Sequence, residues 1–368
     1  MIGIIIGSII LLIILIAAIF MNLSPEFGGK HKETDIKRYQ QSKHFKKGKF
    51  ENLSETNMDM SFKETMATLV DYIKGVPNSK PDFELPVEKI DSTNWEQNDT
   101  TDRIFWFGHS AFLLKLDGKN ILIDPMLGEV PAPHPLLGGK RYSSSLPIEI
   151  EKLPRIDVVL ISHDHYDHLD YGTIQLLKDK TNQFMVPLGV GAHLRSWGIE
   201  ENRIEEFDWW QELTYEHIQL AFTPSRHFSG RGLGDRFSTL WGSWVIKGKS
   251  KSLFFSGDSG YGDHFKRIGE TYGPFDFAMM ECGQYNEKWA DIHMMPEESA
   301  QASADVKASK VMPIHWGAFT LSIHSWIDPV ERFTKEANRL NLAHYVPKIG
   351  EEIKLSEIGT RFEQWWKK

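Results

Sequence analysis

The chain has 368 residues, 41% hydrophobic and 25% charged, the balance of a globular protein with room for one large domain or two ordinary ones. Its formal charge of -8 lacks the basic excess of a nucleic-acid-binding face, so no nucleic-acid partner is expected. A single cysteine, Cys282, excludes an intramolecular disulfide and a thiolate zinc cluster, and its place just after an apolar run reads as structural.

In chain order, residues 2–21 are continuously apolar except for Ser8, close to the ~20 residues that cross a bilayer as a helix. No Lys or Arg precedes this stretch, and it is longer than the apolar core of a cleaved signal peptide. An uncleaved transmembrane helix over 1–22 is therefore expected. Lys30, Lys32, Lys37, Arg38, Lys43, Lys46, Lys47 and Lys49 follow it, which places the rest of the chain on the cytoplasmic side. Residues 23–94 read as a linker and packing extension with a short helix at 62–72, and residues 95–368 as the globular domain.

From Ile104 the pattern turns to short apolar runs. Residues 104–107, 111–116 and 120–124, with a tight turn at Asp117-Gly118, predict sequential antiparallel strands. Further strands are expected at 219–223, 253–256, 275–280 and 311–314. Gly248-Lys249-Ser250 lies between apparent strands and reads as a hairpin turn, not a phosphate-binding loop. Pro296 with Glu297 and Glu298 marks one helix start; Asp328-Pro329-Val330-Glu331 predicts another, with Asp328 as the cap. The tail Trp365-Trp366-Lys367-Lys368 suits either an interfacial contact or a packed terminal helix.

The chemistry is concentrated at residues 163–168, His-Asp-His-Tyr-Asp-His, between the run Val158–Ile161 and a helical pattern over 169–178. Imidazole nitrogen and carboxylate oxygen are ligands for zinc, and a loop held by two rigid elements suits a metal site. Asp164 and Tyr166 read as supporting residues. Three later runs end close to another candidate ligand: His227, Asp258 and His315. With His163, His165, Asp167 and His168 these exceed the needs of one tetrahedral ion and suit two neighbouring metals with a shared bridge. His109 and His324 are left outside the metal shell.

His-x-His-x-Asp-His, Gly257-Asp258-Ser259-Gly260 and Ile314-His315-Trp316-Gly317 together resemble the metallo-β-lactamase superfamily. More narrowly, Ser225-Arg226-His227-Phe228 and Leu240-Trp241-Gly242-Ser243-Trp244 resemble phospholipases D that hydrolyse N-acylphosphatidylethanolamine, over roughly 105–329 of this chain. The resemblance implies an α/β (α+β) fold, a four-layer αββα sandwich of two mainly antiparallel sheets, with metals at one sheet edge. It implies two zinc ions, one on His163, His165 and His227, the other on Asp167, His168 and His315, with Asp258 bridging. Asp167, Asp258 and His293 are the implied catalytic residues, His293 not being a primary ligand. Cys282–Asn286 departs from the Gly-Ala-Tyr type sequence of the animal enzymes.

The expected activity is thus metal-dependent phosphodiester hydrolysis of a membrane glycerophospholipid, by a bridging hydroxide, to phosphatidate and N-acylethanolamine. The bilayer is an expected partner through the N-terminal span. A lactonase or small-phosphodiester hydrolase uses the same metal pair, and a membrane-tethered binding protein with a structural metal is the alternative of another class.

Overall fold

In the computed structural model, which describes residues 2–58, 60–91, 95, 101–357 and 363–367, helix α1 (Ile2–Leu23) carries its apolar side chains on the outside. It is long and apolar enough to cross a membrane. Its last turn meets the folded domain through Phe20, whose ring lies 5.4 Å from Phe27 and 6.0 Å from His134.

The extension is packed against that domain. Helix α2 (Glu33–Tyr39) is followed by the hairpin β1 (Phe45–Lys46) and β2 (Lys49–Phe50), whose Tyr39, Phe45 and Phe50 enter the main core. Asp35 pairs with Arg195 at 2.6 Å, and Pro25 O accepts from Trp197 Nε1 at 2.8 Å. Helix α3 (Phe62–Lys74) begins with Ser61 and Glu64 in a capping box.

One sheet then forms from β3 (Arg103–Trp106), β4 (Phe112–Leu116), β5 (Lys119–Ile123), β6 (Ile156–Leu160), β7 (Thr181–Pro187), β8 (Ile204–Phe207) and, against β3, β16 (Glu352–Lys354). The other comprises β9 (Gln211–Tyr215), β10 (Ile218–Thr223), β11 (Ser243–Lys247), β12 (Ser252–Phe255), β13 (Phe277–Glu281), β14 (Lys310–Ile314) and β15 (Ala343–His344). In both sheets one half is antiparallel and the other parallel. The expectation of mainly antiparallel sheets is therefore corrected. From β5 onward in the first sheet, and from β12 onward in the second, the strands are joined by crossovers instead of hairpins. A parallel pair requires such crossovers.

Side-chain alternation explains the layers. Ile104, Trp106, Leu114, Ile121, Ile123, Val158 and Leu160 point into a cluster shared with Leu220, Phe222, Trp244 and Phe254 of the other sheet. Their neighbours Phe105, Leu113, Leu122 and Val159 face away, onto Ile174 and Leu177 of α4 (Tyr171–Leu177) and Leu194 of α5 (Gly191–Ser196). The second sheet is covered by α6 (His264–Thr271), α7 (Pro296–Asp305) and α8 (Asp328–Arg339), which supply Ile268, Ala302 and Phe333. A period of two on strands buried on both faces thus gives the αββα sandwich.

One local expectation changes, and one left open is decided. Asp328 lies inside α8 and caps nothing through its side chain, because that carboxylate is engaged by the Tyr285 hydroxyl and by Arg332. Trp365 and Trp366 are buried against Trp316, with ring centroids 5.4 and 6.0 Å away, so neither ring is available to a bilayer. The turn at Gly248 closes the β11–β12 hairpin as expected, Gly248 N donating to Lys251 O at 2.9 Å. Trp365→Ala is expected to cost about 3–5 kcal/mol of stability, read as a lower denaturant midpoint; an unchanged midpoint would contradict the packed tail.

Candidate metal centre

Rigid strands deliver the donors to one edge of the sandwich. Strand β6 ends at Leu160 and the chain loops through His163, His165, Asp167 and His168 before Asp170 caps α4, its carboxylate accepting from Thr173 N at 2.8 Å. His227, Asp258 and His315 follow β10, β12 and β14 of the other sheet. The two sheets are stitched together beside the donors, where His109 N donates to Trp316 O at 2.9 Å and His315 N to His109 O at 3.0 Å.

All seven residues expected as ligands come together. In one group His165 Nδ1 lies 3.0 Å from His163 Nε2 and 3.2 Å from His227 Nε2. In the other, Asp167 Oδ2 lies 3.1 Å from His315 Nε2 and 3.5 Å from His168 Nε2. Asp258 Oδ2 sits between the groups, 3.1, 3.2, 3.7 and 3.9 Å from the Nε2 atoms of His168, His315, His163 and His227.

These donors fit metal ions. Bonds of about 2.0 Å in a tetrahedron set its edges at ~3.3 Å, the spacing seen here. Asp258 Oδ1 is buried without a hydrogen-bond partner, an arrangement that costs free energy unless a cation compensates it. Burial, aided by neighbouring imidazoles, lowers His163 and His227 well below the usual histidine value, so both rings are neutral, the ligating form. Burial opposes ionisation of Asp258, but His168 and His315 outweigh it and hold the carboxyl well below the usual carboxylate range. Burial likewise opposes charge on His315, yet Asp258 and Asp167 raise it to about 10. The carboxylates demand positive charge, and metal cations are its natural source in a site rich in neutral nitrogen donors.

Other buried groups aim the ligands. Asp124 Oδ2 accepts from His168 Nδ1 at 2.7 Å, and Asp124 Oδ1 accepts from Ser162 N at 2.7 Å. His227 Nδ1 donates to Ile292 O at 2.9 Å. Asn52, from the N-terminal extension, clamps the same residue's backbone: its Oδ1 accepts from His227 N at 3.1 Å and its Nδ2 donates to His227 O at 2.8 Å. Asp164 contributes no donor to the cluster; its carboxylate accepts from Gly230 N at 2.8 Å and Thr239 Oγ1 at 2.9 Å, fixing the loop. Tyr166 donates to Arg231 O at 2.7 Å.

Two further residues lie beside the donors: His109, which the sequence pattern left outside the metal shell and which the structure brings into contact with Asp167, and Glu281, which the sequence did not single out. His109 Nε2 lies 2.8 Å from Asp167 Oδ2; burial and nearby His315 lower it to about 3, so its ring is neutral. Its signal was a histidine just past strand β3, the same address as the other ligands. Glu281 ends β13 fully buried, against His293 Nδ1 and 3.5 Å from His315 Nδ1. In the sequence it looked like one polar residue after an apolar run. His324 stays away from the cluster, stacked on Tyr285 at 4.5 Å. Cys282 is buried, and burial raises its thiol pKa well above the ordinary value, in keeping with a structural role.

A cleft of about 310 Å³ opens over the donors. His165, Asp167, Asp258, His293 and His315 line it together with apolar Met58, Met60, Phe228, Trp289 and Leu321 and the cations Arg236 and Lys288.

Such a sandwich, with an open His/Asp cluster at the strand ends, is the architecture of a metal-dependent hydrolase. The chain belongs to the metallo-β-lactamase superfamily: the pattern of the beta-lactamase superfamily domain matches residues 119–316. An uncharacterized protein of Mycobacterium tuberculosis is 38% identical over 335 residues, 89% of this chain and 88% of its own. The N-acyl-phosphatidylethanolamine-hydrolyzing phospholipase D 1 of Caenorhabditis elegans is 31% identical over 67% of this chain and 73% of its own. Among solved structures, a metallo hydrolase from Ignicoccus hospitalis shares the fold at a TM-score of 0.53 and 23% identity, over 69% of this chain and 98% of its own.

Asp124→Asn is expected to weaken metal retention about 10- to 100-fold in competition with a chelator, and Asn52→Ala to weaken it less. Because protons compete for His168 and His315, metal affinity should fall as pH is lowered; affinity independent of pH would contradict the ligand set.

Proposed function

We propose that this protein is a dinuclear zinc phosphodiesterase of the phospholipase D type, cleaving N-acylphosphatidylethanolamine to phosphatidate and N-acylethanolamine. The observation that carries the reading is Asp258 placed between two donor groups at the floor of an apolar-walled, cation-flanked cleft. His163, His165 and His227 would hold one ion and Asp167, His168 and His315 the other, with Asp258 shared. When bound, the ions supply Lewis acidity that lowers the pKa of water and stabilises charge on phosphoryl oxygens.

The chain's own residues do the rest. Arg236 and Lys288 offer positive charge to an anionic diester, a feature a neutral lactone does not use. Met58, Met60, Phe228 and Leu321 give acyl chains an apolar wall. Water adds its oxygen at phosphorus and the bond to the ethanolamide oxygen breaks; one water proton stays with the phosphatidate, the other passes to solvent, and His293 at the cleft delivers a proton to the departing alkoxide and regains one from solvent. The opening above the donors favours catalysis over a closed structural site. The relative from Caenorhabditis elegans named for this activity supports the substrate class.

Helix α1 supports a bilayer anchor over 1–22, with the catalytic domain cytoplasmic by the basic flank. Its end lies close to the metal loop, Phe20 touching Phe27 and Phe27 lying 6.4 Å from Tyr166. A substrate drawn from the membrane would then reach the cleft without leaving the bilayer surface.

Turnover of N-acylphosphatidylethanolamine vesicles in ¹⁸O-water is expected to label phosphatidate and not the ethanolamide, detected by mass spectrometry. Hydrolysis of an acyl-homoserine lactone but of no phosphodiester would overturn the reading. Asp258→Ala should lower kcat at least about 100-fold. Deleting residues 2–22 is expected to abolish co-sedimentation with vesicles while leaving turnover of soluble bis-p-nitrophenyl phosphate unchanged.

A further inference from the structure

Glu281 is a fully buried carboxylate at the end of a central strand, and both its oxygens face the site. Oε2 accepts from Ser259 N at 2.6 Å, the residue after Asp258. Oε1 accepts from His293 Nδ1 and lies 3.5 Å from His315 Nδ1. One side chain thus touches three loops, those carrying Asp258, His293 and His315. Its own backbone is held in turn, Glu281 N donating to Ser256 Oγ at 2.9 Å and Glu281 O accepting from Ser299 Oγ.

Burying a carboxylate this deeply is costly unless charged or polar partners compensate it, so its position calls for a physical account. The His293 ring gives one. That ring has two side-chain torsions to swing it within the cleft wall, and the carboxylate restricts both by engaging Nδ1. Stacking on the His315 ring, with centroids 5.3 Å apart and planes 13° apart, fixes the same plane. Among the described residues Nε2 has no hydrogen-bond partner, and His293 lines the cleft over the donors. A carboxylate that fixes one imidazole nitrogen so that the other meets the substrate is a known device for aiming a proton-transfer group.

We propose that Glu281 is a positioning residue for His293, fixing the imidazole so that Nε2 faces the reacting phosphoryl group. The inference rests on the proton-delivery role given to His293 above. It predicts that Glu281 acts on turnover through His293 alone.

A double-mutant cycle on the full-length, metal-loaded protein tests this, with bis-p-nitrophenyl phosphate as probe. Glu281→Gln is expected to lower kcat about 10- to 100-fold with little change in KM, and to cause no further loss when added to His293→Gln. Multiplicative losses would overturn the proposal, showing that Glu281 acts elsewhere in the site. If His293→Gln alone leaves kcat unchanged, the role of His293 fails first and the positioning role with it. A second readout is independent of turnover and of any variant's folding. The unmutated protein should show a strongly downfield proton resonance for the His293 Nδ1–H bonded to carboxylate, and its absence would overturn the proposal. Bound metal per chain should be the same in Glu281→Gln as in the parent, since a drop would place the effect on His315.

Discussion

The site depends on one electrostatic constraint: Asp258, nearly inaccessible to water, is surrounded by imidazoles and keeps one oxygen without a partner. A bare carboxylate in such surroundings would be strongly destabilising. It is tolerable only if cations share the space, and the neutral rings of His163 and His227 are shaped to bind cations without adding charge of their own. The same demand explains the opposite behaviour of His315, which the carboxylates push toward protonation.

The sandwich supplies the rigidity that this arrangement requires. Donors spread over a wide stretch of sequence meet because each lies just past a strand, and strands buried on both faces cannot slide without reversing which side chains enter the core. The backbone bridge between His109 and the segment 315–316 ties the two sheets at the point where their donors face each other. Gly283 belongs to the same fit: a methyl group there would collide with the His315 carbonyl. The N-terminal extension takes part as well, since Asn52 holds the backbone of His227 and Met58 and Met60 wall the cleft. It joins the apolar N-terminal helix to the site, and is more than a spacer.

Much of this was legible in the sequence because its signals are local. Three histidines in six residues after an apolar run mark a metal loop without reference to any other part of the chain. His227, Asp258 and His315 were legible because each repeats the same strand-end address. Less visible were groups whose role is purely relational. Glu281 carries no motif of its own and His109 only a strand-end address outside any motif, and only the packing of neighbouring strands brings them to His293 and Asp167. Asp328 misled for a related reason: its local pattern fits a cap, but Tyr285, distant in the chain, and Arg332, one helical turn along, claim its carboxylate.

By itself, then, the sequence marked the candidate donors, the alternation of buried strands and the apolar N-terminal helix, because each is written in short-range spacing and residue chemistry. The tertiary structure decided the parallel halves of the sheets, the burial of Trp365 and Trp366, the clamp from Asn52 and the contact between Glu281 and His293. Each of these depends on which segments lie side by side after folding, and that is set by the collective packing of both sheets, not by any one stretch of chain.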